Sequence, residues 1–168
     1  MNDPRIGPPH FGDERETLRA FLDYQRATLA MKCRGLSDDE LRSRSMPPST
    51  LTLLGLVRHL AEVERAWFRR VFEDHDVPMV WSDEIDFQAA YDASASTRAE
   101  AFAAWEDEVE HSRRIEREAA SLDLAGRQPR WDEDVSLRMV MVHVLLEYAR
   151  HNGHADLLRE GIDGEVGA

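Results

Sequence analysis

His143, Glu147, His151 and His154 follow one another at intervals of four, four and three residues. On a helix advancing 100° per residue they fall within an arc of about 80°. Such groups must find partners if they are buried, so few purely structural helices carry four of them along one line. Glu147 and His151, four residues apart, can face a single ion. The first chemistry these residues suggest is therefore metal binding.

An open zinc site commonly takes three protein ligands and leaves a position free. The third donor must come from another element, and His59 is the candidate, in Leu56-Val57-Arg58-His59-Leu60-Ala61-Glu62. With Leu53 set at zero, the apolar residues of its helix cover roughly −80° to +100°, and His59 lies about 40° beyond that edge. That phase predicts a place at the rim of the core. His154 either replaces Glu147 as a ligand or bonds to a ligand from behind. Asp156 and Arg150 are placed to orient their neighbours. His143 falls in an apolar half-helix, where a hydrogen-bonded core histidine is expected. His10, His75 and His111 have no partners at ligand spacing and read as surface residues.

Elements must then be found to position these groups. Glycine and proline gather at the ends and in three connecting stretches, leaving four long helices. The first runs from about Glu14 to Lys32. The second starts at Ser49 or Thr50, both good N-caps, and runs to about Phe72. The third opens on the capping box Thr97-Arg98-Ala99-Glu100 and ends near Ala120. The fourth runs from about Ser136 to Gly161, and its half from Leu137 to Leu146 is apolar almost all round, which predicts the most buried element. Ser37-Asp38-Asp39-Glu40 is a further capping box that opens a short turn. The stretch from about Glu73 to Ser94 lacks periodicity and is long for a loop, which points to function or to short helical pieces. Alternating apolar runs are missing, so no sheet is expected. The expected fold is all-α, one domain over residues 1–168 with its core at about 14–164: a helical bundle with a long connection between its second and third helices.

Composition narrows the function. The chain has 168 residues, 42% of them hydrophobic, enough for one sizeable core. A net charge of −12 argues against nucleic acid and against anionic membrane surfaces. No apolar run approaches a membrane span, and the first ten residues carry no signal segment, so a cytoplasmic location is expected. A single cysteine, Cys33, excludes an internal disulfide framework. Lys32 and Arg34 beside it would lower its pKa somewhat, although an ordinary thiol near a helix end is the plainer reading.

Two long segments resemble a known family. Leu51 to Phe68 reads LTLLGLVRHLAEVERAWF, and Ser136 to Glu160 reads SLRMVMVHVLLEYARHNGHADLLRE, followed by Ile162-Asp163-Gly164. Together they resemble the DinB-like superfamily, in particular its branch of mycothiol-dependent S-transferases, over roughly residues 14 to 164. The resemblance implies a four-helix bundle in up-down-down-up order with a divalent metal near one end. Many members use three histidines, one from the second helix and an H-x3-H pair from the fourth ahead of Gly-Gln. Here His59 matches the first position, Glu147 and His151 fall on the pair, Gly153 matches the glycine and His154 replaces the glutamine. A His-Glu-His set is similar to the mycothiol-dependent maleylpyruvate isomerase branch.

The resemblance and the residues lead to one chemistry. Zinc held by His59, Glu147 and His151 keeps a position at which a low-molecular-weight thiol, mycothiol or a relative, ionises and attacks an electrophile. His154 would move protons, and His143 and Asp156 would support the shell. Arg58, Arg150 and the loop carrying Trp81 are candidates for the cofactor pocket. Nickel, iron and manganese suit the same donors. Hydrolysis or isomerisation at the same metal is the alternative enzyme reading. A closed shell using His154 as well would instead mark a structural or stress-related metal protein. Members of the family often pair, so a homodimer is expected, with Trp81, Phe87 and Trp131 available either for an interface or to cover the ends of the core.

Overall fold

The computed structural model describes residues 5–83 and 86–166. The chain ends, including part of the stretch read for a signal segment, and two residues of the long connection lie outside that range. Helix α1 spans Glu14–Lys32, with Asp13 accepting from the Glu16 amide at 2.8 Å. The short α2, Asp38–Leu41, closes the expected box between Ser37 and Glu40. Helix α3 spans Leu53–Glu64 and passes without a break into a π-helical stretch, Arg65–Phe72. A 3-10 turn at Ala89–Tyr91 precedes α4, Arg98–Glu118, which opens on the Thr97/Glu100 box. Strands β1, Ala125–Gln128, and β2, Glu133–Ser136, lead into α5, Leu137–Asp163.

Four long helices thus form the body, as the periodicity predicts, with differences in detail. Helix α3 begins later than Ser49 or Thr50. Ser49 spends its hydroxyl on the Leu51 amide within a turn, and Thr52 caps the helix by accepting from Gly55 N at 3.0 Å. Its continuation is π rather than α. There Arg65 and Arg69 both grip the buried carboxylate of Glu108 on α4, at 2.7 and 2.6 Å. The expectation of no sheet is corrected by the β1–β2 hairpin, paired antiparallel with Ala125 opposite Ser136. Its strands are polar and short, so no alternation announces them. Gly126 makes its packing possible, because a Cβ there would meet Phe72 Cα at 2.5 Å.

The core lies where α1 packs on α5 and where α3 packs on both α4 and α5. Every residue of α3 is buried. Helix α5 is not the most buried element: Val142 and Leu146 stand 38% and 63% exposed. Its neighbours cover only one side of it, so apolar residues all round do not mean burial all round. A polar network also crosses the core. Arg26 Nε meets Glu64 Oε1 at 2.8 Å, and its Nη2 meets Glu116 Oε1 at 3.1 Å. Tyr148 donates to Glu64 Oε1 at 2.8 Å and accepts from Trp105 Nε1 at 2.7 Å. All five side chains are buried, so α1, α3, α4 and α5 are fixed in register by bonds that fail together. Among the described residues, no helix is long and apolar enough to cross a membrane.

Candidate metal centre

His59 comes from the middle of α3, and Glu147 and His151 from successive turns of α5. One ligand atom from each of the three lies within 4.8 Å of the others. Glu147 Oε2 is the common point, 3.5 Å from His59 Nε2 and 3.5 Å from His151 Nε2. Ligands about 2.0–2.1 Å from a tetrahedral zinc stand about 3.3–3.4 Å apart, so these separations are close to the edges of such a shell. Among the described residues, the two buried ring nitrogens of His59 have no hydrogen-bond partner, and coordination through Nε2, the one facing Glu147, would relieve that cost at one of them. The donor set fits a divalent cation.

The electrostatics agree with that fit. The imidazoles of His151 and His59 hold the Glu147 carboxyl well below the usual carboxylate range. Burial pushes the His59 imidazole down, toward the neutral form that binds metal, against the pull of Glu147. His154 is likewise pushed down, by burial and then by His151.

Around the three donors the α5 line closes up. His154 Nδ1 lies 3.3 Å from His151 Nδ1, so it meets that ring on the nitrogen away from Glu147. His143 is half-buried rather than sealed in the core; its Nε2 is 3.7 Å from Glu147 Oε1, and its ring packs on Trp67 at 4.0 Å. Asp156 is drawn off by Lys32, at 2.7 Å. His59 is deeper than its phase predicts, at 7% exposed, because the long connection folds over it. Tyr91 stacks on its ring with centroids 4.5 Å apart and planes 16° from parallel. The Tyr91 hydroxyl is 3.5 Å from His151 Nε2. Burial, aided by the charge of Glu147, pushes that hydroxyl up to about 12.

The connection is anchored by α3. The buried Glu62 carboxylate accepts from the amides of Val80 and Trp81 at 2.9 and 2.8 Å. Arg58 lies over the Trp81 ring at 4.0 Å and donates to Ala90 O at 2.9 Å. Gly55 lets the connection approach, since a Cβ there would meet Tyr91 O at 2.7 Å. No periodicity marks Tyr91 or Trp67 as site residues; only their aromatic character in an irregular or apolar stretch hints at them.

His59 and Glu147 line a cavity of about 790 Å³. Its walls include Trp67, Phe87, Trp131, Arg70 and Arg130, which come from the π-helical stretch, the connection and the hairpin tip. A second cavity of about 540 Å³ is lined by Tyr91 with Arg42, Arg44, Thr52 and Gln88. Arg58 and Trp81 lie in neither; with Pro78 and Met79 they line a separate cavity of about 620 Å³. Arg150 is exposed and lines neither. His111, expected at the surface, is buried; its Nε2 meets Glu73 Oε2 at 2.5 Å and its Nδ1 meets Arg114 at 3.0 Å. Cys33 is buried too, and burial outweighs the nearby arginines to push its thiol up to about 12.

A largely helical protein in which two imidazoles and one carboxylate converge beside a cavity is the class these features define. The chain belongs to the mycothiol-S-transferase family of DinB-like proteins, whose family model matches residues 17–164. Comparison with curated proteins gave no significant match. Among solved structures the chain is similar to a conserved protein from Enterococcus faecalis, with a TM-score of 0.65 and 13% identity. That match covers 92% of this chain and 100% of the other, and at such identity it concerns the fold alone.

Proposed function

We propose that this chain is a metal-dependent S-transferase that joins mycothiol, or a closely related thiol, to an electrophilic small molecule. The observation that carries this reading is the convergence of His59, Glu147 and His151 beside a roomy cavity, in a chain of the mycothiol-S-transferase family. Those three residues would hold the cation, with zinc the best suited to two imidazoles and a carboxylate. When bound, it supplies Lewis acidity that lowers the pKa of a thiol.

The chain's own residues do the rest. His154 fixes the His151 ring from behind, and His143 sits against the free oxygen of Glu147. Trp67, Phe87 and Trp131 would offer apolar faces to the electrophile, while Arg70 and Arg130, with Asp74 and Asp76 in the same lining, would meet its polar groups. His154, only partly buried, is placed to pass a proton between the site and solvent. The same reading carries an up-down-down-up order of the long helices in a single domain, and pairing of two copies. It is tested by elemental analysis of purified protein together with a conjugation assay using mycothiol and a model electrophile. Thiol loss that stops with chelator and returns with zinc is the expected result. Metal-free protein, thiol loss indifferent to chelator, or turnover without thiol would each reject it.

A further inference from the structure

The three donors account for one side of the site, and the long connection supplies another that they do not explain. Tyr91 is the only side chain of that connection in ring contact with both His59 and His151 among the described residues. Its hydroxyl is 3.5 Å from His151 Nε2, the same nitrogen that faces Glu147. A group placed there would stand beside any ion that His59, Glu147 and His151 held.

Its location is built rather than accidental. Arg58 precedes His59 in α3, so its side chain leaves the helix about 100° away from the imidazole. From there it donates to Ala90 O at 2.9 Å and to Ala89 O at 3.3 Å, the two residues of the 3-10 turn before Tyr91, and to Ser96 Oγ beyond the turn. Arg58 is itself buried, so these bonds compensate a desolvated cation and hold the turn firmly. The Tyr91 amide donates to Gln88 O at 3.1 Å, and Gly55 leaves room for the Tyr91 carbonyl. One arginine thus fixes a turn whose tyrosine faces the donors supplied by the next residue and by α5.

We propose that Tyr91 is a substrate-binding residue whose hydroxyl donates a hydrogen bond to the thiolate sulfur held at the His59–Glu147–His151 centre, and that Arg58 is its positioning residue. The hydroxyl keeps its proton throughout, so no bond is made or broken at Tyr91. The ring keeps His59 in place by stacking, and the hydroxyl selects an anion as the exogenous ligand. Because Tyr91 also lines the second cavity, the thiol's polar remainder extends toward Arg42, Arg44 and Thr52, and the electrophile takes the larger cavity. This inference rests on the metal-and-thiol reading given above.

The test uses the full chain loaded with cobalt(II) and titrated with mycothiol, following the sulfur-to-cobalt charge-transfer band. Tyr91→Phe keeps the ring and removes only the hydroxyl. Without thiol, wild type and Tyr91→Phe bind one cobalt with the same spectrum. With mycothiol, the variant binds about tenfold more weakly or worse, as expected for a lost bond to a charged acceptor. Arg58→Lys weakens binding in the same direction, and the double variant is no weaker than Tyr91→Phe alone. Equal thiol affinity in wild type and Tyr91→Phe overturns the proposal. So does a cobalt spectrum altered in Tyr91→Phe before thiol is added, which would make the phenol a ligand. Additive losses in the double variant overturn the role of Arg58. If wild-type protein binds no cobalt, or binds it without the sulfur band, the metal-and-thiol reading itself fails and the role of Tyr91 falls with it.

Discussion

His154 Nδ1 stands 3.3 Å from Nδ1 of His151, while His151 Nε2 stands 3.5 Å from Glu147 Oε2. One imidazole therefore faces a carboxylate with one nitrogen and a second imidazole with the other. If His151 Nε2 faces a cation, its Nδ1 carries the proton and can donate it to His154 Nδ1.

His154→Ala is expected to weaken zinc binding by about 10- to 100-fold, the usual cost of losing such support. His154→Gln, which can still bond to the ring, loses less. Competition with a chromophoric chelator measures both. Unchanged zinc affinity in His154→Ala would show that the ring contact plays no part in holding the ligand.

Zinc is expected to stabilise the fold by mass action. At a free concentration a hundred times the dissociation constant, the gain is about 2.7 kcal/mol, or a rise in Tm of about 5–10 °C for a chain of this size. His59→Ala and Glu147→Gln should show no such rise. Differential scanning fluorimetry with and without zinc checks this, and an equal rise in all three proteins would place the ion elsewhere.

Glu116 gives a pH dependence of definite sign. Burial, opposed by Arg26 and aided by Glu64, pushes its carboxyl above the ordinary 4.5. The folded state thus holds a proton that the unfolded state releases near 4.5, so this contribution is complete below that pH. It is lost as pH rises from there through the folded value. Glu116→Gln, which cannot ionise, should therefore lose less stability than wild type between pH 5 and pH 8. Urea melts across that range test it; parallel curves would mean Glu116 is ionised in the fold.

Cys33 should be inert in the native protein. Its thiol is buried and pushed up to about 12, so little thiolate exists at pH 8 and reagents cannot reach it. Reaction with a disulfide reagent should be slow in buffer and complete in denaturant. Rapid labelling of folded protein would contradict the packing of α1.

Helix α5 carries an outward stripe of Val142, Leu146 and Leu157, the last two 63% and 52% exposed. Residues at these spacings share one helical face. Two copies meeting along that face would give the proposed homodimer, and Leu146→Glu should then sediment as a monomer. A monomeric wild type rules the pairing out.

Much of this protein is determined by local sequence. The capping boxes at Ser37 and Thr97, the apolar periodicity of α1, α3 and α4, and the line from His143 to His154 are properties of short stretches. Each shows at helical spacing because backbone geometry repeats regularly. Even the pairing of His59 with Glu147 and His151 is suggested by residue chemistry and family likeness. Tertiary structure alone decided the rest. His59 is buried rather than at a rim because Arg58 and Glu62 pull an aperiodic connection across α3. Tyr91 reaches the donors for the same reason. His111 and Cys33 are buried, and Leu146 is exposed, according to which neighbour happens to cover them. Burial and convergence depend on contacts between residues far apart in the chain, and no local period records those.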